Sequence, residues 1–186
     1  MHLVVLLLGS NIDKERMLPE AVRLLGEKEK LLAVSPVYET VAVEGREHPN
    51  FFNAALLLQT DKSAAALKDG PLASIEQKLG RRRTTDKNAP RTIDLDIILY
   101  DDLIFDYTPA DDQPRHIPEP DLLLRAHCAF PVADLLPEMV HPETGETMRS
   151  IAGRIARELA AETDPTIWKR EDVDLRPLID APKSNR

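Results

Sequence analysis

The chain has 186 residues, 42% hydrophobic, 30% charged and only 4% aromatic, with a net charge of −8. Such a length fits one domain with a sizeable core and excludes a multidomain machine, while the composition excludes a disordered or membrane-embedded chain. The acidity argues against a whole-surface duplex binder, and a lone Cys128 points to a reducing, cytoplasmic setting.

Residues 2–8 form a near-continuous apolar run. It is too short to span a bilayer and lacks a basic leader, so a strand buried on both faces is expected, not a signal segment. Gly9-Ser10-Asn11 should end it. Leu18, Ala21, Val22 and Leu25 recur at helical spacing to about residue 28, with Pro19 in the first turn or marking a fresh start. A second strand is expected over 31–40, with a bulge or edge position at Pro36, then a long loop over 41–49. The third strand is 51–60. Asp61 or Ser63 can cap the next helix, whose apolar face is Ala66, Leu67, Leu72, Ile75 and Leu79; Gly70-Pro71 predicts a kink or two short helices, and Gly80 a C-cap. The fourth strand is 93–100.

Seven of the 15 prolines fall between Pro109 and Pro142, so ordered coil with short helical pieces is expected there, followed by an amphipathic helix marked by Met148, Ile151, Ile155 and Leu159. Beyond Thr163 the pattern fades. The expected division is a domain over 1–162 and a tail over 163–186. Strand, helix, strand, strand, helix, strand is the βαββαβ order of an α+β ferredoxin-like sandwich with a mainly antiparallel sheet, here with a C-terminal helical and coil extension.

Neither GxGxxG nor GxxxxGK[ST] occurs, so any nucleotide chemistry would have to use side chains and not a glycine loop. The sharpest local pattern is Pro90-Arg91-Thr92-Ile93-Asp94-Leu95-Asp96-Ile97. On a strand, Asp94 and Asp96 share a face, with Cα atoms roughly 6.6 Å apart. Two carboxylates at that span suit a pair of cations on a polyphosphate, and oxygen-only ligation suits Mg²⁺. For an isolated pair the wet face of an amphipathic strand is the stronger reading; the neighbourhood weighs against it. Beside it, residues 77–93 carry six basic residues and one acidic, a net +5 that leaves −13 on the remainder. Guanidinium forks there match phosphate oxygens; a solvated charge run or a nucleic-acid patch is the lesser alternative. Phe51 and Asn53 share a face and could pair a stacking ring with an amide able to read a flat heterocycle, although taken alone core packing with a turn-proximal Asn is the stronger reading. No HxxxH or cysteine cluster suggests zinc.

LLLGSN at 6–11, SPVYET at 35–40, HPNFFNAA at 48–55, IEQKLGRRR at 75–83, PRTIDLDI at 90–97 and IPEPDLLLRAHCAFPVADLLP at 117–137 together resemble the 6-hydroxymethyl-7,8-dihydropterin pyrophosphokinases of folate biosynthesis. The resemblance implies transfer of the β,γ-pyrophosphoryl group of ATP to the pterin hydroxymethyl oxygen, releasing AMP. It implies Asp94 and Asp96 as ligands of two Mg²⁺ ions, and Arg81, Arg83 and Arg91 as phosphate-binding arginines, with Arg81 and Arg91 nearest the chemistry. Glu76 and Ile97 would lie near the nucleoside and Arg125 would serve ATP. Thr40, Val41, Val43, Phe51, Asn53 and His127 would form the pterin pocket. A cytoplasmic monomer is expected, with no nucleic-acid or membrane partner and, at this length, no fused second enzyme. The loops 41–49 and 82–90 should order when both substrates bind.

Three positions depart from the family pattern. Glu119 replaces a phosphate-facing His, and should turn away, pair with a neighbour such as Arg115, or take up a proton or metal; His127 stands where a Phe usually closes the pterin sandwich; Asn88 replaces a Trp carried by some members. These departures keep two alternatives open: a non-catalytic ferredoxin-like module binding RNA or a nucleotide, and an enzyme of the same family acting on another hydroxymethyl heterocycle.

Overall fold

A computed structural model describes residues 1–41, 48–82, 89–160 and 166–179. Val43, Arg83 and Asn88, with most of the two loops expected to order on substrates, lie outside the described residues. Strands β1 (His2–Ser10), β2 (Lys30–Val34), β3 (Val37–Thr40), β4 (Phe51–Thr60), β5 (Asp94–Tyr100) and β8 (Ile167–Arg170) form one sheet, and β6 (Phe105–Tyr107) and β7 (Arg115–Ile117) pair separately. The main sheet runs β5-β1-β4-β3-β8, with β2 also on β4, and every pairing is antiparallel. With β2 and β3 taken as one interrupted strand, this is the expected ferredoxin-like arrangement. Pro36 makes the interruption, having no N–H for the ladder; the Ser35 hydroxyl accepts the Ala55 N–H at 2.9 Å and keeps both halves on β4.

Helix α1 (Lys14–Lys28) and the broken helix α2 (Ala64–Leu67) and α3 (Ala73–Lys78) cover one face, burying Val4, Leu6, Leu8, Phe52, Leu56, Leu95 and Ile97. Helices α4 (Ala126–Leu135) and α5 (Met148–Leu159) cover the other over Val5, Ala55, Ile98 and Leu99. The alternation of β1 feeds both cores, which is why its sequence is apolar at nearly every position.

Several elements differ from expectation. β1 continues through Gly9 and Ser10, because both residues pair with β4. Pro19 sits inside α1, past its first turn. Ala66 is exposed, whereas Ala64 and Lys68 are buried. The short β6 and β7 lie within the stretch from Phe105 through the prolines. Past Thr163, β8 pairs with β3 over Val37–Arg170 through Thr40–Ile167, and Leu175 is buried on the α1 side. Strand β8 is short and half exposed, so no apolar period announces it; the free edge of β3 supplies the order. The helix break falls where expected: Ser63 caps α2 through Ala66 N–H, and a π turn over Lys68–Leu72 accommodates Pro71. Gly80 follows α3 at φ +77°, a left-handed C-cap.

Candidate active site

Register across the sheet builds the site. Asp94 pairs with Gly9, Gly9 with Asn53, Asn53 with Tyr38 and Tyr38 with Lys169, so these residues form one row facing the α4 side. The next row holds Asp96, Leu7 and Ala55. Phe51 lies two residues before Asn53 on the same face and pairs with Thr40. Gly9 contributes no side chain between Asp94 and Asn53, which lie roughly 10 Å apart across two strand spacings. The row is thus a trough with a carboxylate at one end and an amide at the other.

Asn53 is held in place by donating to Thr40 Oγ1 at 2.9 Å. The neighbouring Val41 N–H donates to the Thr166 carbonyl at 3.0 Å, so that group is engaged by the segment leading into β8. Asn11 closes the end of the trough. Its Oδ1 accepts the Arg91 N–H at 2.7 Å and its Nδ2 donates to the Pro49 carbonyl at 3.1 Å, tying the residues that lead into β4 and β5 to the end of β1. Ser10 adds a 2.5 Å bond to the Thr92 carbonyl.

At the carboxylate end, Arg91 Nη1 meets Asp94 Oδ2 at 2.5 Å and Arg81 Nη2 approaches the same oxygen at 3.7 Å. The Arg91 guanidinium also lies 5.7 Å from the centre of the Phe51 ring, joining the two ends of the site. Arg82 is exposed. Asp96 is bonded by the buried Lys68 ammonium at 3.1 Å, a residue the sequence reading missed. Lys68 and Glu76 fall eight residues apart on the buried helix face, and a charged pair at core spacing was the available signal. Desolvation would raise the Asp96 carboxyl, but Lys68 holds it below its ordinary value. Asp94 and Asp96 keep 21% and 42% of their side chains exposed, enough to meet a ligand.

Glu76 is buried, and its Oε1 accepts both Lys68 Nζ at 3.2 Å and the Leu95 N–H at 2.9 Å; burial pushes its carboxyl up. Ile97 lies in the core on the α1 side, and Arg125 is an exposed residue just before α4, 3.8 Å from Asp121. His127, in the first turn of α4, is partly buried, which lowers its pKa. Glu119 makes no ion pair with Arg115, whose fork takes Asp111 at 3.0 and 2.8 Å. Instead it caps the short helix that follows, through a long 3.5 Å bond from Asp121 N–H, and burial raises its pKa.

Two carboxylates on one strand face, without His or Cys among them, fit a hard cation such as Mg²⁺ that draws its remaining ligands from phosphate and water. Among the described residues no group of three His, Cys, Asp or Glu forms a ready-made cage. None of the described helices is long and apolar enough to cross a membrane.

Residues 5–137 match the family model for 7,8-dihydro-6-hydroxymethylpterin-pyrophosphokinase. The folic acid synthesis protein fol1 of Schizosaccharomyces pombe is 34% identical over 79% of this chain, which spans 20% of that protein's length. The first curated relatives are all several times longer than the match, this chain spanning about a fifth of each. The 2-amino-4-hydroxy-6-hydroxymethyldihydropteridine pyrophosphokinase of Pseudomonas aeruginosa is 33% identical over 75% of this chain and 84% of its own. A crystal structure of HPPK-DHPS from Plasmodium falciparum shares the fold with a TM-score of 0.70 at 14% identity, over 89% of this chain and 45% of that one. A motif set in matching order, a matching fold and a relative of similar length together establish that the chain belongs to the 7,8-dihydro-6-hydroxymethylpterin-pyrophosphokinase family.

Proposed function

We propose that the chain transfers the pyrophosphoryl group of ATP to the hydroxymethyl oxygen of 6-hydroxymethyl-7,8-dihydropterin, releasing AMP, as a cytoplasmic monomer. The observation that carries this reading is the Asp94–Gly9–Asn53 row. It sets a carboxylate and an amide on one face with a glycine that carries no side chain between them, which supports a metal site at one end and a two-ring heterocycle bearing a one-carbon arm at the other. Phe51 and His127 would supply the stacking walls, and Asn53, Thr40, Val41 and Val43 the polar edge. Glu76, Arg83, Ile97 and Arg125 are assigned to ATP.

Asp94 and Asp96 would hold the metal, read as two Mg²⁺ ions. When bound, Mg²⁺ supplies charge neutralisation for the phosphate oxygens. Arg81 and Arg91, which already stand on Asp94, would turn their forks to phosphate, holding the transferred group in line with the acceptor hydroxyl. The chain's contribution is positioning and electrostatics, with no covalent intermediate. Incubation with ATP, Mg²⁺ and the reduced pterin should release AMP in a pterin-dependent way, and Asp94→Ala and Asp96→Ala should each abolish it. Retained activity in both variants would remove the metal assignment, and tight RNA binding without AMP would overturn the enzymatic reading.

A further inference from the structure

Strand β5 is an edge strand, so Leu95 turns its N–H and carbonyl away from β1 with no strand to receive them. Glu76 accepts the N–H at 2.9 Å, and Lys68 donates to the carbonyl at 2.5 Å. Covering that edge would be reason enough for a buried Lys–Glu pair. Lys68 does more, because its third proton goes to Asp96 Oδ1 at 3.1 Å. Three ammonium protons meet three acceptors in a side chain only 3% exposed, which leaves the cation no freedom to move. The π turn that begins at Lys68 closes with the Ala73 N–H on the Lys68 carbonyl, and such widened turns recur at functional sites.

We propose that Lys68 is a built-in counter-cation and positioning residue for Asp96. It takes one carboxylate oxygen, leaves the other for a divalent cation, and keeps the paired-carboxylate site preformed at the expense of cation affinity. This rests on the reading of Asp96 as a metal ligand. A fixed positive charge beside a ligand oxygen opposes a second cation there, and the opposition is strong in a partly buried setting. Lys68 therefore weakens metal binding while holding the ligand in place.

Mn²⁺ binding in the presence of a non-hydrolysable ATP analogue, followed by electron paramagnetic resonance, reads this without turnover. Lys68→Met is expected to tighten Mn²⁺ binding by about tenfold; unchanged or weaker binding, as for a residue that only covers the strand edge, overturns the proposal. Should that variant fail to fold, Asp96→Asn in metal-free buffer decides. A bare carboxylate pair repels itself, so removing one charge would raise the melting temperature, whereas loss of the Lys68 partner should lower it by about 2–4 °C. An unchanged or raised melting temperature overturns the proposal. Neither measurement involves the pterin, so failure of the AMP assay and failure of the Lys68 assignment are separately visible.

Discussion

Two charged clusters stand near opposite edges of the same sheet and differ in how they are assembled. By the β5 edge, Arg81, Arg91, Asp94 and Asp96 come from one short stretch of chain and keep their carboxylates partly exposed. Toward the β8 edge, four distant segments meet. Lys14 of α1 bonds Glu39 of β3 at 2.7 Å and the Asn50 carbonyl at 2.9 Å, and Arg170 of β8 closes on the other oxygen of Glu39 and forks onto Asp172. Both cations also stand on the buried Phe52 ring, at 4.4 and 4.8 Å. Glu39 is only 10% exposed, with a cation on each oxygen, so it is engaged in the fold and largely closed to a ligand. Exposure separates the two: one cluster keeps its carboxylates open to a ligand, the other is a buried brace on the opposite face of the sheet.

If that contrast is right, damage to the two clusters should separate function from stability. The largest effect belongs to Arg91→Ala, which removes the link between Asp94 and Phe51: kcat/KM for AMP formation should fall about 10²- to 10³-fold, with the urea midpoint little changed. Comparable losses of activity and stability would break the distinction. Next is Glu39→Ala, which leaves Lys14 and Arg170 facing each other over Phe52. It should cost about 2–3 kcal/mol by chemical denaturation, at the lower edge of the range for a fully buried pair because Arg170 is partly exposed. Intact stability in that variant would mean the cluster is ornamental. A third measurement uses pH. Burial would raise the Glu39 carboxyl, but the bonds from Lys14 and Arg170 prevail and hold it below its ordinary 4.5. A depressed carboxyl contributes stability above its unfolded pKa and loses it as pH falls through the folded value. Wild type should therefore lose more stability than Glu39→Gln as pH falls below the ordinary carboxylate range. Parallel acid limbs would assign that loss to other carboxylates.

The same contrast explains what was legible in the sequence. β4 runs over Phe51–Thr60 as its pattern predicts, and the facing of Asp94 and Asp96 follows from period two on β5, because both depend on neighbours along the chain. The brace was invisible: Lys14, Glu39, Asn50 and Arg170 meet only once β8 pairs with β3, and nothing local in Ile167–Arg170 marks it as a strand. Lys68 fell between these cases. Its position on the buried helix face was periodic and readable, but its partner Asp96 lies 28 residues away across the sheet edge. Glu119 could be flagged as a departure from pattern, yet its capping bond to Asp121 and its distance from any Arg115 pairing required the fold.

The mildest perturbation tests the floor between the two ends of the site. A Cβ at Gly9 would meet only Asn53 Oδ1, at 3.5 Å, an ordinary contact, and the backbone there needs no positive φ. Glycine is therefore not required by the strand, which carries residues with side chains on either side of it. What a side chain would remove is depth in the trough where Asp94 and Asn53 face each other. Gly9→Ala should leave the melting temperature unchanged or raise it by about 1–4 °C, since a strand interior favours alanine over glycine. The KM for the pterin should rise a few-fold while that for ATP stays unchanged, and Gly9→Val should enlarge the same split. A rise in the ATP KM instead would mean that nucleotide, and not pterin, lies over Gly9, reversing the assignment of the two ends of the row.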